Sequence, residues 1–347
     1  MRHFLGAGLA LAVGCIASAG AYAQKTELRA IGFVSTHEQS KLEREFYDKL
    51  ASRTDLDIRI NFNPLDVVGV NMQDTLRVVR NRTFDIVETT IGSAARDDSF
   101  LEGIDLVGVS TNLEELEQAV EAYRPAFAER VAKRFKAKVL TLFPLGPQVI
   151  YCNSEIKGLA DLKEKKVRSY TPTMSALLQH IGASPVTLQF AEVYPALQRG
   201  VADCGITSPN SGNSGNWPEV TTHLFPLGVS WSVNAHFINL DAWNTLSPDT
   251  QQKLEAAFKD LEKQFWQVAR DLTKDATNCN VGAEPCQHFK KFNMKLVQPT
   301  EADRQLLKDA VNAVVLPSWK ATCSRNYPEC AKVWNDTIGK ERGYQIQ

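Results

Sequence analysis

Hydrophobic residues recur with two different spacings over the first 147 positions, and the two spacings alternate along the chain. Leu42, Phe46 and Leu50 stand at every fourth position, which predicts an amphipathic helix. Ile58 and Ile60 alternate with polar residues, which predicts a half-buried strand. On this basis the predicted strands are 26–34, 57–63, 84–90 and 137–143, and the predicted helices are 37–53, 70–82 and 112–135. Such an alternation is typical of an α/β fold, in which helices cover both faces of a mainly parallel sheet.

A second α/β unit begins near Gln148. Its predicted strands are 149–153, 166–170 and 201–206, its predicted helices are 174–181 and 191–199, and a polar turn cluster is predicted over 208–216. A strand over 231–239 then leads back to the first unit. Ser247 and Pro248 are the residue types preferred at the N-cap and the first position of a helix, and the apolar stripe after them predicts a helix over 248–278. At about 1.5 Å per residue, this helix is long enough to brace both units.

Composition and charge narrow the class of protein. A chain of 347 residues is more than one hydrophobic core usually holds, which agrees with two domains. The 39 Lys and Arg residues are balanced by 40 Asp and Glu residues, so the net charge is −1. A general nucleic-acid-binding protein carries a basic excess. The composition therefore predicts a folded globular protein without a nucleic-acid partner.

The first 23 residues have the pattern of a secretory signal peptide. Arg2 precedes an apolar run over 4–17, and Ala21-Tyr22-Ala23 has the small residues that signal peptidase recognises. Cleavage is expected before Gln24, which predicts a soluble periplasmic protein. A membrane anchor is the first alternative, but the run is shorter than the roughly 20 residues that span a bilayer. A lipoprotein modified at Cys15 is the second, and the Leu expected three residues before that cysteine is missing.

Loss of the signal peptide leaves six of the seven cysteines, and an even number in an exported protein is typical of disulfides. The predicted pairs, two of them seven positions apart and the third found by elimination, are Cys279 with Cys286, Cys323 with Cys330, and Cys152 with Cys204. Zinc binding is the alternative use of cysteines, but the chain has no C-x-x-C and its histidines show no ligand spacing. No metal site and no cofactor are therefore expected.

One long motif resembles a known family. The segment Phe190-Ala-Glu-Val-Tyr-Pro-Ala-Leu-Gln-Arg-Gly-Val-Ala-Asp203 has the pattern F-x-E-V-Y-x-A-L-Q-x-G-x-x-D, and Lys166-Val-Arg168 precedes it. Both resemble the DctP-type solute-binding proteins of TRAP (tripartite ATP-independent periplasmic) transporters, and the resemblance extends over essentially the whole mature chain. It implies a two-lobed periplasmic binding protein of type II-like fold, with a long helix bracing both lobes. It also implies delivery of an organic acid to a small and a large membrane subunit, with uptake driven by sodium.

The resemblance assigns the main ligand contact to Arg168. In the family, the Arg at the start of this second-lobe strand grips the carboxylate of the ligand, and a guanidinium suits that role because its planar fork makes two parallel bonds. Gln148 stands where the sialic-acid-binding branch has a second Arg. Thr207 stands where many members have a ligand-contacting Asn. Glu192 is a further candidate, with a helix N-terminal charge as its alternative role.

Other candidates follow from position in the fold. Ligands of open α/β sheets bind beyond the carboxyl ends of the strands, which points to Phe33 and Glu88 in the first lobe. Phe190 and Trp231 are candidate walls of the pocket, with core packing as the alternative. We expect lobe I to comprise 24–147 plus about 232–265, and lobe II to comprise 148–231 plus about 266–347.

A single strong Arg favours a monocarboxylate, and a 2-oxo, 2-hydroxy or aromatic acid is expected. A binding protein for an ABC importer or a sensor is the first alternative, and the F-x-E-V-Y motif argues against it. An exported enzyme acting on organic acids is the second. The chain has no G-x-S-x-G, H-E-x-x-H or phosphate-binding glycine loop, so a protein without enzymatic activity is expected.

Overall fold

The computed structural model describes residues 26–347 with the exception of residue 54, and the predicted signal peptide lies outside this part of the chain. The strands are β1 Thr26–Gly32, β2 Ile58–Pro64, β3 Ile86–Thr90, β4 Ala137–Pro144, β5 Val149–Cys152, β6 Lys166–Ser169, β7 Ser184–Thr187, β8 Cys204–Thr207, β9 His223–Phe225, β10 Val233–Asn239 and β11 Lys295–Leu296. The α-helices are α1 Glu38–Ser52, α2 Thr75–Arg80, α3 Ile91–Ala94, α4 Leu113–Phe135, α5 Pro172–His180, α6 Phe190–Gln198, α7 Pro209–Ser214, α8 Leu240–Asn244, α9 Pro248–Val281, α10 Glu301–Ala310, α11 Leu316–Cys323, α12 Cys330–Trp334 and α13 Lys340–Arg342. No helix among these described residues combines the length and the hydrophobicity needed to cross a membrane.

The first sheet forms lobe I and has the strand order β2-β1-β3-β10-β4. β1 runs parallel to β2 and β3, as the sequence predicts. β10 lies between β3 and β4 and is antiparallel to both. The other four strands share one direction, so the sheet is mainly parallel, as predicted, with one antiparallel strand. β10 runs the other way because it enters from the other lobe through an extended segment rather than through a crossover helix on its own sheet.

The second sheet forms lobe II and has the order β11-β9-β5-β8-β6-β7. β6 is parallel to β7 and β8, whereas β5 is antiparallel to β8 and β9. The sequence misses β7, β9 and β11, which have four, three and two residues. The two- and three-residue strands contain too few positions for an alternating pattern to be recognised. β7 is an edge strand that contains Pro185, and a proline in a segment argues against a strand there.

The polar segment that the sequence assigns to turns contains a helix. Ser208 caps α7 by accepting a hydrogen bond from the Ser211 N–H at 3.2 Å, and Pro209 occupies the first helical position. These are favourable residues for a helix start. The turn prediction for 208–216 is therefore wrong over Pro209–Ser214, because the cap and tertiary packing outweigh the weak helix propensity of Asn, Ser and Gly.

The helix α9 braces both lobes. Ser247 accepts a hydrogen bond from the Thr250 N–H at 3.2 Å, and the helix continues to Val281. In lobe I, the Trp266 indole donates to the Leu142 carbonyl at 2.9 Å. In lobe II, the Asn280 amide donates to the Tyr151 hydroxyl at 2.8 Å.

The C-terminal helices also contact both lobes. The Trp319 indole donates to the Ser99 carbonyl of lobe I at 2.7 Å. The Asp303 carboxylate accepts from the Leu159 N–H of lobe II at 2.7 Å. The last part of the chain, 301–347, thus contacts both units, and its assignment to lobe II stays a prediction.

The six cysteines outside the predicted signal peptide come together in pairs. Cys152 and Cys204 face each other on the neighbouring strands β5 and β8, with Sγ atoms 1.97 Å apart. In the other two pairs the residues are seven positions apart, with Cα–Cα distances of 4.9 Å for Cys279 and Cys286 and 6.3 Å for Cys323 and Cys330. The first pair joins the strand before Arg168 to the strand after the α6 helix.

Candidate functional site

A cavity of about 280 Å³ lies between the two lobes. Its walls come from the ends of β1, β3, β6 and β8, from the loop after β2 and from the start of α6, in agreement with the rule for open α/β sheets. The lining residues are Phe33, Val34, Leu65, Asp66, Gly69, Val70, Asn71, Met72, Thr90 and Ser93 of lobe I, Leu145, Gln148 and Ser232 of the segments that connect the lobes, and Arg168, Tyr170, Gln189, Phe190, Ala191, Thr207 and Ser211 of lobe II.

Arg168 is a buried cation in this wall, with 4% of its surface exposed. Its Nε–H donates to the Leu188 carbonyl at 3.1 Å, and its Nη1 donates to the Ile206 carbonyl at 2.7 Å. The salt bridges of the described residues give Arg168 no carboxylate partner within 4.0 Å. Two backbone carbonyls therefore fix the guanidinium and leave three of its five N–H donors for another acceptor.

Two aromatic rings flank the guanidinium. Its central carbon lies 4.9 Å from the ring centroid of Tyr170 and 5.7 Å from that of Trp217. Ring faces stabilise a cation, but burial still disfavours the charge and lowers the pKa of Arg168 to about 10. The group remains charged at neutral pH, so the cavity wall contains a positive charge that has no carboxylate within salt-bridge distance in the part of the chain that the structure describes.

Tyr170 connects the lobe II wall to the segment that leads back to lobe I. Its hydroxyl makes a hydrogen bond with Ser232, and burial raises the pKa of Tyr170 well above its usual value. The hydroxyl is therefore protonated at all physiological pH values. Tyr170 was not among the residues proposed from sequence. It directly follows β6 and stands two positions after Arg168, so continued strand alternation would place the two side chains on the same side.

Direct hydrogen bonds between the lobes lie at the edge of the cavity. His37 Nε2, at the N-cap of α1, lies 2.8 Å from Ser211 Oγ in α7. Burial lowers the pKa of His37 to about 4, so this imidazole is neutral. Glu102 of lobe I accepts from the Thr173 N–H at 3.0 Å and from its hydroxyl at 2.7 Å. These contacts hold the lobes together around the cavity.

Five of the residues proposed from sequence line the cavity: Phe33, Gln148, Arg168, Phe190 and Thr207. Gln148 is buried, and its amide donates to the Gly146 carbonyl at 2.9 Å, which leaves its side-chain oxygen available. Thr207 is buried at the end of β8. The Phe190 ring stacks on Trp217 at 5.6 Å, so it both lines the cavity and packs in the lobe II core.

Three other proposed residues do not line the cavity. The Glu192 carboxylate accepts from the Gln189 N–H at 2.8 Å and caps α6, which is the alternative role considered for it. The Trp231 side chain is buried, and its backbone N–H donates to Asp105. Glu88 is buried in the core of lobe I. A position at a strand end gives the edge of the sheet correctly but does not give the side to which a side chain points.

Asp66 is a cavity residue for which the sequence offers no signal, because it lies in an irregular loop after β2. Its two carboxylate oxygens accept from the Ser35 N–H at 2.8 Å and from the Ser35 hydroxyl at 2.6 Å. Asp66 and Arg168 are the charged residues among those that line the cavity. The cavity thus has one cation in lobe II and one anion in lobe I.

Comparisons with known proteins agree with this architecture. Residues 34–321 match the family model DctP, described as bacterial extracellular solute-binding protein, family 7. The ectoine-binding periplasmic protein TeaA of Halomonas elongata is 26% identical over 193 residues, which cover 51% of this chain and 56% of that protein. The 2,3-diketo-L-gulonate-binding periplasmic protein YiaO of Escherichia coli is 25% identical over 221 residues, 63% of this chain and 67% of that protein. The match to the uncharacterized protein YiiZ of Salmonella typhimurium covers 45% of that protein, so this chain spans about half the length of TeaA and of YiiZ.

Solved structures share the fold over nearly the whole chain. DctP6 of Bordetella pertussis, an extracytoplasmic solute receptor binding pyroglutamic acid, superposes with a TM-score of 0.79 at 21% identity, covering 92% of this chain and 100% of that chain. A TRAP periplasmic solute-binding protein from Desulfovibrio salexigens with bound orotic acid gives a TM-score of 0.80 at 16% identity, covering 91% and 100%. The match of the family model over residues 34–321 and the two-lobed fold lead to one conclusion: this chain belongs to the DctP family of bacterial extracellular solute-binding proteins, family 7.

Proposed function

We propose that this protein is an extracytoplasmic solute receptor that binds a small organic carboxylate between its lobes and delivers it to a TRAP permease. The observation that carries the proposal is Arg168, a buried guanidinium in the wall of the cavity between the lobes, without a carboxylate partner among the described residues. A buried charge is unfavourable unless it is paired. A ligand carboxylate would supply the missing counter-ion and would accept two parallel hydrogen bonds from the free donors.

The rest of the cavity favours a monocarboxylate. Asp66 contributes a negative charge from lobe I, and a second carboxylate on the ligand would be repelled if it pointed that way. Gln148 and Thr207 supply neutral polar groups that suit a hydroxyl or oxo oxygen next to the carboxylate. Phe33, with Tyr170 on the opposite lobe, supplies aromatic surface for a small ring. A 2-oxo, 2-hydroxy or cyclic acid meets these requirements.

Related proteins support the class of ligand. Four structurally similar receptors bind pyroglutamic acid, orotic acid, succinate and malonate. All four are small organic acids. The positions of Arg168 and of the interlobe cavity give this chain the chemistry to bind such an acid, and its own affinities decide which one.

Export and delivery complete the proposal. The family consists of extracellular solute-binding proteins, and the N-terminal segment with Ala21-Tyr22-Ala23 has the pattern of a signal peptide. We therefore propose that the mature protein works in the periplasm with the small and large membrane subunits of a TRAP permease, and that it has no enzymatic activity. Genes for those two subunits beside its own gene would support this partner, and genes for an ABC-type ATPase would contradict it.

A thermal-shift screen tests the proposal. A ligand present at 100 times its Kd adds about 2.7 kcal/mol of stability, which corresponds to roughly 4 °C for a protein of this size. At least one small monocarboxylate should produce such a shift, and its neutral carboxamide should not. Arg168→Ala should lose the shift. Its matched control, Arg199→Ala, removes an exposed arginine and should retain the shift. A panel in which uncharged solutes bind and acids do not would contradict the proposal.

A further inference from the structure

A second group of ionisable side chains lies in the core of lobe I, apart from the ligand cavity. Glu43 of α1, Glu88 of β3 and His236 of β10 are each 0% exposed. One possible ligand atom from each side chain lies within 4.8 Å of those of the other two. The binding of an organic acid at Arg168 makes no use of these groups, so their presence in the core requires a separate explanation.

Each of the three side chains is fixed from outside the group. The hydrogen bonds that hold them are Phe33 N–H to Glu43 Oε2 at 2.9 Å, Asn234 Nδ2–H to Glu88 Oε1 at 2.6 Å, and Thr141 Oγ1 with His236 Nδ1 at 2.7 Å. In every case the second polar atom of the side chain is left for the interior of the group: Glu43 Oε1, Glu88 Oε2 and His236 Nε2. Outer hydrogen bonds of this kind orient the side chains that bind metals in proteins.

One of the inner atoms lacks a partner. Glu88 Oε2 is buried without a hydrogen-bond donor among the described residues, and the Glu88 carboxyl group lies within hydrogen-bond reach of that of Glu43. Glu43 Oε1 lies 2.9 Å from His236 Nε2. Two more oxygen atoms on the same side of the sheet, Tyr47 Oη and Asn234 Oδ1, are also buried without partners. Buried polar atoms in native proteins are normally satisfied, so this group of side chains indicates a bound species.

Charge indicates what that species is. Two carboxylates are buried here, and the described salt bridges give neither of them an Arg or Lys partner. Two ionised carboxylates without a cation are unfavourable in a protein core. A divalent cation would neutralise both carboxylates at once.

We propose that Glu43, Glu88 and His236 bind a divalent transition-metal ion, Zn²⁺ or Mn²⁺, as a structural site in lobe I. One imidazole nitrogen and two carboxylate oxygens are a donor set suited to these ions. Glu43 and His236 are 193 positions apart. No short sequence motif can therefore indicate this site, and none was predicted.

The site would hold one wall of the ligand cavity. A Cβ atom at Gly32 would lie 2.4 Å from Glu43 Oε2, so a glycine at the end of β1 allows the carboxylate to approach the backbone. The same oxygen accepts the N–H of Phe33, which lines the cavity. The metal would thus tie the end of β1 to β3 and β10 beneath the ligand. It is distinct from the acid-binding site and does not depend on the ligand proposed above.

Metal content is measured on the full-length protein after dialysis against EDTA. Because the site is fully buried, the native protein should retain about one equivalent of Zn²⁺ or Mn²⁺, detected by inductively coupled plasma mass spectrometry. Unfolding in guanidinium with EDTA should release the ion. Refolding with Zn²⁺ or Mn²⁺ should restore one equivalent and raise the melting temperature above that of protein refolded with EDTA.

Glu88→Gln removes one charged ligand and keeps the shape of the side chain, so it should lose the metal. Glu102→Gln alters another buried glutamate outside the group and should keep it. The wild-type refolding comparison decides the question even if Glu88→Gln does not fold. The proposal is overturned by native and refolded wild-type protein that contains no metal and melts at the same temperature with or without added ions. It is also overturned by a metal-free wild type in which Glu88→Gln raises stability at alkaline pH, since that result identifies a shared proton.

Discussion

Removal of the Arg168 side chain should weaken ligand binding more than it lowers the stability of the ligand-free protein. In Arg168→Ala, a bound carboxylate would be left in the cavity without its cation. Breaking one partner of a buried ion pair typically costs about 3–5 kcal/mol. At about 1.4 kcal/mol per decade, the Kd for the acid should rise by about two to three and a half decades.

The stability of the ligand-free protein should change less, because two effects oppose each other. Burial lowers the pKa of Arg168 to about 10, which corresponds to about 3 kcal/mol against the charged form. The mutation removes that penalty, but it also removes the hydrogen bonds to the Leu188 and Ile206 carbonyls. Each of these has a charged donor and is worth about 1.5–3 kcal/mol. We therefore expect the free energy of unfolding without ligand to fall by no more than about 3 kcal/mol.

Calorimetric titration with the acid found in the thermal-shift screen measures the first effect, and urea unfolding of ligand-free protein measures the second. Arg168→Lys retains the charge but loses the planar fork, so its affinity should fall between those of the wild type and Arg168→Ala. Wild-type affinity in a folded Arg168→Ala protein would refute the assignment. A collapse of ligand-free stability would show instead that Arg168 is mainly structural.

Three further outcomes follow from the geometry. Burial lowers the folded-state pKa of His37 to about 4, so the unfolded chain takes up a proton before the folded protein does as the pH falls. The free energy of unfolding should therefore decrease by up to about 3 kcal/mol between pH 6.5 and 4. His37→Gln should flatten that part of a urea-unfolding pH profile. Replacement of Cys152 and Cys204 by alanine should cost about 3–4 kcal/mol of unfolding free energy for a loop of this length, and equal melting temperatures under reducing and non-reducing conditions would speak against the bond. Glu102→Ala removes both hydrogen bonds that Thr173 donates across the lobes. It should weaken acid binding about tenfold and leave the preference for a charged ligand intact. Glu102→Gln keeps an acceptor oxygen and should bind the acid nearly as the wild type does.

The elements of lobe I could be predicted because its helices and longer strands have clear hydrophobic periods. Leu42, Phe46 and Leu50 place α1, and Ile58 with Ile60 places β2 within a residue or two. The antiparallel position of β10 could not be predicted, because the direction in which a strand joins a sheet depends on the path of its connection and not on its own residues. In lobe II the four-residue strands β5, β6 and β8 could be predicted, whereas β7, β9 and β11 could not.

Some residues of the candidate site could be predicted from sequence and others could not. Arg168, Gln148 and Thr207 were found because a long family motif fixes their positions in the chain. Tyr170 could have been found from strand alternation. Asp66 could not, since the loop that carries it has no regular pattern.

The proposed metal-binding group could not be predicted from sequence patterns either, because its three residues come from α1, β3 and β10. Glu88 and His236 are opposite one another in the register of β3 and β10. That pairing is known only once β10 is placed in the sheet.

The central claim is that Arg168 pairs with a ligand carboxylate between the lobes. The most direct measurement is a calorimetric cycle with the acid and its neutral carboxamide, each titrated into the wild type and into Arg168→Ala. The wild type should bind the acid at least a hundredfold more tightly than the amide, and this preference should largely disappear in Arg168→Ala. An acid-over-amide preference of the same size in both proteins would contradict it.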